Sequence, residues 1–258
     1  MGAWPVSVTP QELDQPFADY DPFAWVYNEH WSGPFAAQVM TALDALLLPG
    51  MSGSARILDL CCGTGQLAAK LTGRGFAVTG VDGSSEMLRY ARVNAPSAEF
   101  VHADARDLRG EGQFDAVVCV FDSLNHILNF DELVTVFRNV RAALSPEGRF
   151  LFDLNMEQGY IERCLGSHTI VDDDNACIVD VDYTEEEHLA SFEITLFHRD
   201  GPGWSRTDLT LLQRCYSEPQ VRDALADAGF GDISVHEAES ELGMDGNVGR
   251  SFFLASAV

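Results

Sequence analysis

Residues 57–65 read Ile-Leu-Asp-Leu-Cys-Cys-Gly-Thr-Gly, an apolar run that ends on Asp59 and passes into a tight turn carrying Cys61, Gly63 and Gly65. Glycine has no Cβ, so such a turn lets the backbone approach a ligand closely. Asp59 sets a carboxylate in the turn, which disfavours a phosphate and favours a ligand with a cationic group. A second apolar run, Val-Thr-Gly-Val-Asp-Gly-Ser, ends on Asp82. A carboxylate there can accept from both hydroxyls of a ribose, or can serve as an acid at a helix N-terminus. The unbroken apolar run 114–121 is followed by Asp122-Ser-Leu-Asn125-His126. Polar groups directly after a buried strand need partners. The imidazole of His126 can take a proton near neutrality, or can be a structural histidine satisfied by loop hydrogen bonds. Asp122 is placed to orient it or to bind a substrate, with Asn125 the weaker candidate.

These residues act together only if the fold brings them to one edge. From Ala55 onward, strand and helix patterns alternate. Arg56–Leu60, Ala77–Asp82, Glu99–His102, Phe114–Phe121 and Arg149–Asp153 are the expected strands. Helices are expected over 65–72, from a Ser84 or Ser85 cap to about Asn94, and from Asn129 to about Leu144, with Glu132 completing a capping box. This alternation argues for an α/β protein with a doubly wound parallel sheet, whose ligands bind outside the carboxyl ends of the strands. The pattern then changes. Strands over 176–183, 189–199 and 204–216, with a turn at Asp200-Gly-Pro-Gly, form an antiparallel insertion spanning 156–214. Ser217-Glu-Pro-Gln is a second capping box, flanked by Tyr216 and Val221 as a hydrophobic staple. The strands Asp232–His236 and Ser251–Ala255 close the chain. Residues 1–17 are expected to be a flexible N-terminus, and 17–47 are unusually aromatic.

The turn at 58–65 resembles motif I of the class I S-adenosylmethionine-dependent methyltransferases, usually Leu-Asp-x-Gly-Cys-Gly-Thr-Gly, with Cys61 standing where the first glycine is usual. The resemblance covers roughly residues 18–258. It implies a seven-stranded, mostly parallel Rossmann-like sheet, with residues 18–155 and 215–258 as the cofactor-binding domain and the insertion covering an acceptor pocket. It implies S-adenosylmethionine as cofactor, with Asp59, Cys61, Gly63 and Gly65 in the turn, and Asp82, Gly83 and Met87 along the nucleoside. Ala103-Asp104-Ala105-Arg106 resembles the third motif, in which Asp104 accepts from the adenine amino group and the Ala105 N–H meets the ring. At the end of strand four, Val120 and Phe121 contact the cofactor amino group through their backbone, and Asp122 and His126 face the transferable methyl. Tyr20-Asp-Pro-Phe-Ala-Trp-Val-Tyr27 resembles the segment that folds over the site in small-molecule members, where tyrosine hydroxyls reach the cofactor carboxylate. Phe-x-Ser-x-x-His at 121–126 resembles the amino-sugar N-methyltransferases.

Charge and cysteine content bound the partners. Forty acidic against 16 basic residues give a net charge of −24. That surface repels a phosphate backbone and no basic cluster offsets it, so nucleic acid is disfavoured; solubility or a high-salt setting accounts for it otherwise. No apolar run approaches the ~18 residues that cross a bilayer, and no basic, apolar leader opens the chain. The six cysteines form no CxxC pair, which fits a reduced, cytoplasmic protein without a metal site. The expected activity is methyl transfer to N or O of a small-molecule acceptor, with His126 and Asp122 on the acceptor side. The oligomeric state is left open, a homodimer included. Two other readings exist. A protein that binds S-adenosylmethionine without turnover would act through a partner. A nicotinamide enzyme would use Gly63-x-Gly65-x-x-Ala68 as a dinucleotide fingerprint, but Asp59 would repel its pyrophosphate.

Overall fold

The structure, a computed structural model, describes residues 18–110 and 112–258; the segment expected to be flexible, 1–17, lies outside them. The chain begins with helical turns over Ala18–Phe23, Ala24–Val26 and Tyr27–Trp31, then α1 (Ser32–Ala42), which a wider turn prolongs over Leu43–Leu47. The expected alternation follows: β1 (Arg56–Leu60), α2 (Gln66–Gly73), β2 (Ala77–Asp82), α3 (Ser85–Asn94), β3 (Glu99–His102), β4 (Phe114–Cys119), α4 (Phe130–Ala143) and β5 (Leu144–Asn155). Then come β6 (Gly166–Val171), β7 (Asn175–Thr184), β8 (Leu189–Asp200), β9 (Gly203–Arg214), α5 (Glu218–Asp227), β10 (Phe230–Glu237) and β11 (Arg250–Ala257).

The main sheet has seven strands in the order β10-β11-β5-β4-β1-β2-β3. β11 runs antiparallel to both neighbours, and the pairings from β5 to β3 are parallel. This is the doubly wound α/β sheet that the sequence predicts. β4 is the central strand and is apolar on both faces because helices cover both. On one face Leu133, Val136, Phe137 and Val140 of α4 join Leu58, Val117 and Phe152 in one core. On the other, Val39 and Leu43 meet Leu67, Leu71, Val118 and Leu151. Phe152 stacks on Phe253 at 5.0 Å and meets Phe137 at 5.4 Å. Truncating such an aromatic costs about 3–5 kcal/mol, so the strand ends above this core are rigidly placed.

Local details differ from expectation for identifiable reasons. The insertion has four strands, ordered β6-β7-β8-β9, rather than three. β6 is exposed along most of its length, so it shows no apolar alternation to read. Asn129 caps α4 by accepting from the Asp131 N–H at 2.8 Å, but Glu132 reaches Arg106 at 2.8 Å instead of closing a box. The Ser217–Gln220 box does close. β4 stops at Cys119, two residues early, because Phe121 (φ 65°) and Asp122 (φ 48°) turn into left-handed backbone.

Candidate active site

The carboxyl edge of the sheet opens into a cavity of about 440 Å³, walled by the β1–α2 and β2–α3 turns, the end of β4, the N-terminal helical strap and the inner face of the antiparallel sheet. At one end, Cys61 takes φ 57°, so it adopts the backbone of the glycine it replaces. Gly63 (φ 53°) and Gly65 (φ 81°) are also left-handed. They do different work. A Cβ on Gly65 would come within 2.9 Å of the Ala91 Cα, so this glycine lets α2 pack on α3; a Cβ on Gly63 would sit 3.1 Å from the Tyr27 ring that lies over the turn.

Asp82 binds the two turns together. Its carboxylate accepts from the Gly63 N–H and from the Ser84 N–H, each at 2.8 Å, while lining the cavity beside Gly83 and Met87. Burial raises its pKa, and the two N–H groups oppose that rise. Each carboxylate oxygen keeps a second lone pair for a ligand. Asp59 is 1 % exposed, and its Oδ2 has no hydrogen-bond partner among the described residues. Burial and the nearby Asp82 push its pKa up to about 8. Together with Val120 it faces a recess of about 30 Å³ behind the turn, shared with Tyr27, Cys61 and Phe121. Ala105 lines the main cavity. The Asp104 carboxylate instead pairs with Arg106 at 2.6 Å, and Arg106 continues to Glu132.

The other end is assembled from side chains far apart in sequence. The Nδ1 of His126 lies 2.9 Å from the Leu212 carbonyl, an acceptor only, so this nitrogen carries the proton. Nε2 is then the acceptor, for the Tyr20 hydroxyl at 2.6 Å and the Gln213 amide at 3.0 Å. Burial lowers the pKa of His126, although Asp122 opposes the shift. Burial and the proximity of Asp122 push that of Tyr20 well up. The ring is therefore neutral near pH 7 and the phenol protonated. Asp122 accepts from the Gln213 amide at 2.5 Å and pairs with Arg250 at 2.6 Å. Burial alone would raise its pKa, but Arg250 outweighs burial and holds it below the usual carboxylate range.

Arg250, 2 % exposed, also pairs with Asp153 at the end of β5. Asp153 in turn accepts from the Phe121 N–H at 2.6 Å and the Asp122 N–H at 3.1 Å. Left-handed backbone at a residue with a Cβ costs of order 1–3 kcal/mol and persists only where the surroundings fix it. Asp153 supplies that fixation. Asn125 is fully buried; its amide donates to the carbonyls of Asn155 (3.1 Å) and Arg214 (2.8 Å), and its oxygen accepts from the Asn155 N–H at 2.9 Å. Those bonds tie β9 to β5 and account for Asn125 without a ligand.

The strap is latched from both sides. Asp21 accepts from the Ser84 hydroxyl at 2.5 Å and the Glu86 N–H at 3.3 Å, adding an outside cap to α3. Asn28 accepts from Gln66 at 2.9 Å and Asn94 at 2.7 Å. Tyr20 and Tyr27 are thereby held on the cavity wall, Tyr20 against His126 and Tyr27 over Gly63. The sequence-predicted residues thus fall into three sets. Tyr20, Tyr27, Cys61, Gly63, Asp82, Gly83, Met87, Ala105, Phe121, Asp122 and His126 meet around one cavity. Asp59 and Val120 lie behind the turn, and Gly65 and Asp104 are engaged by protein partners. Sequence reasoning missed Asp153, Gln213 and Arg250. Asp153 carries the signal of Asp59 and Asp82, an acid closing an apolar strand; Gln213 and Arg250 carry none.

A buried carboxyl with one unpartnered oxygen, a second carboxylate with spare lone pairs and a glycine turn without a basic side chain fit a cationic nucleoside better than a pyrophosphate. Comparison with known proteins agrees. Residues 57–148 match the family described as "Methyltransferase domain". YqeM of Bacillus subtilis, whose name assigns it provisionally to the methyltransferases, is 34% identical over 82% of this chain and 86% of its own length. A dTDP-3-amino-3,6-dideoxy-alpha-D-glucopyranose N,N-dimethyltransferase of Streptomyces fradiae is 32% identical over 46% of this chain and 49% of its own. The crystal structure of an S-adenosylmethionine-dependent methyltransferase from Clostridium acetobutylicum shares the fold with a TM-score of 0.74, at 24% identity, over 92% of this chain and 98% of that one. The nicotinamide and non-catalytic readings are set aside: the chain belongs to the class I S-adenosylmethionine-dependent methyltransferases, enzymes whose cofactor is S-adenosylmethionine.

Proposed function

We propose that this enzyme methylates a nitrogen or oxygen atom of a small-molecule acceptor held between the strap and the antiparallel sheet. The observation that carries this reading is the continuity of the cavity: one lining includes the glycine turn and Asp82 together with Asp122 and His126. The net charge of −24 supports a small molecule over a nucleic acid. Among the described residues, no helix is long and apolar enough to cross a membrane. Residues 156–214, which contribute Val179, Ile194, Leu211 and Gln213 to the wall, are assigned to the acceptor. Residues 18–155 and 215–258 are assigned to the cofactor.

When bound, S-adenosylmethionine would supply an electrophilic methyl group on a sulfonium whose sulfur, as a neutral thioether, needs no acid to leave. Asp82 would hold the ribose hydroxyls. Asp59, Gly63 and the Val120–Phe121 backbone would serve the amino-acid end, and Gly83, Met87 and Ala105 the nucleoside; Asp104 would join them only by sharing its carboxylate with Arg106. His126 Nε2 takes the acceptor's proton once the acceptor's N–H or O–H displaces the Tyr20 hydroxyl. The Leu212 carbonyl fixes the tautomer this requires. Asp122, kept ionised by Arg250, orients Gln213 and the incoming acceptor. Tyr20 and Tyr27 cover the site, and with water excluded most of the rate comes from alignment. A methyl-transfer screen across amines, hydroxylated metabolites, RNA and protein tests the reading. Products confined to small molecules are expected; a methylated macromolecule alone would contradict it.

A further inference from the structure

The part of the cavity beyond His126 is unlike the ends already described. Val179 and Val181 of β7, Phe192 and Ile194 of β8, and Leu211 of β9 face Phe23 and Trp31 of the strap across it. The basic side chains that line the cavity are already engaged by protein acceptors. Arg250 pairs with Asp122 and Asp153. Arg163 donates to the Asn155 side chain and, at 3.3 Å, to the Val248 carbonyl. His168 Nε2 donates to the Cys164 carbonyl at 2.9 Å, and His126 Nδ1 to the Leu212 carbonyl at 2.9 Å. A phosphate brought here would lose its water to a mostly apolar wall and meet one guanidinium, Arg163, whose partners are neutral, with Arg250 already neutralised by its two carboxylates. At the base, two carboxylates share one guanidinium, and the whole chain carries −24. Both features draw a cation inward.

On the reading that this cavity holds the acceptor, we infer that the acceptor is an amine carried on an apolar, phosphate-free body such as an aromatic or alicyclic ring, rather than a nucleotide-linked amino sugar. The ammonium form is attracted to the acidic base, and its apolar body fills the space between the strap and β7–β9. The proton given up before attack goes to His126 Nε2. The amine lone pair then forms the new carbon–nitrogen bond, and the carbon–sulfur pair leaves as neutral S-adenosylhomocysteine.

The test uses full-length protein saturated with S-adenosylhomocysteine, titrated by calorimetry with 2-phenylethylamine, 1-aminoindane and a dTDP-linked amino sugar. The same compounds are then assayed for methylation with S-adenosylmethionine. The ring amines should bind and be methylated at least tenfold better than the sugar nucleotide. Phe192→Ala, a half-buried wall position, should weaken ring-amine binding by about 10- to 100-fold, as loss of one buried aromatic contact would, and leave S-adenosylhomocysteine affinity unchanged. Preferred binding or methylation of the sugar nucleotide would overturn the inference while leaving small-molecule methyl transfer standing. Methylation confined to a macromolecule would overturn that broader reading as well. Ring amines that bind wild type and Phe192→Ala equally would overturn the assignment of this wall.

Discussion

The two ends of the cavity are built by opposite means. The end proposed for the cofactor is made by short-range chain geometry: left-handed residues within one turn, and a carboxylate that accepts backbone N–H groups from two neighbouring turns. The end proposed for the acceptor is made by the side chains of Tyr20, Asp122, His126, Asp153, Gln213 and Arg250. Backbone geometry is set locally and resists substitution elsewhere. A network of side chains gains its strength from being complete, and low dielectric makes each missing member costly. The enzyme thus pairs a rigid end for one constant ligand with an end whose shape any of several distant residues can change.

The largest effect should come from Arg250. Arg250→Met leaves Asp122 and Asp153 buried without their cation, and breaking a buried pair in this way costs about 3–5 kcal/mol. Chemical denaturation should show that loss; a change of under about 1 kcal/mol would mean that the network is not a unit. Next is His126→Ala, which should lower turnover by roughly 10²–10⁴-fold if the imidazole takes the acceptor's proton. A fall of about tenfold would reduce its part to positioning. At the other end, Asp82→Ala removes charge-assisted hydrogen bonds worth roughly 1.5–3 kcal/mol. Calorimetry should show S-adenosylmethionine affinity reduced about 10- to 150-fold, and wild-type affinity would remove the ribose role.

The last prediction concerns pH. Asp59 has a folded pKa of about 8, above its unfolded value of ~3.9. The folded state therefore holds the extra proton. The stability this contributes is fully present below the unfolded pKa and is lost as pH rises through the folded one. Asp59→Asn should flatten the decline of ligand-free stability between about pH 4 and about pH 8. An unchanged slope would place the titration elsewhere.

What the sequence revealed follows the same division. The strand limits Arg56–Leu60 and Ala77–Asp82, the Ser84 cap and the Ser217–Gln220 box were legible because each is fixed by neighbours a few residues away. Asp82 could be read because it closes an apolar strand. The left-handed pair Phe121–Asp122 could not, since Phe disfavours it and the carboxylate that holds it belongs to β5. Arg250 opens the last strand with no local mark of function; only the register of β11 on β5 brings it to Asp153. Glu132 shows the converse. Its spacing from Asn129 suits a capping box, yet Arg106 offers a charged partner and takes it.

The separate duties of the two ends are tested most directly by titrating S-adenosylhomocysteine into wild type and His126→Ala side by side. The structure places His126 on Tyr20, Leu212 and Gln213 and on no part of the glycine turn. Affinities equal within about twofold are therefore expected, an energy difference under about 0.5 kcal/mol. A tenfold or greater loss in the variant would show that His126 belongs to the cofactor end and would contradict the division of the cavity.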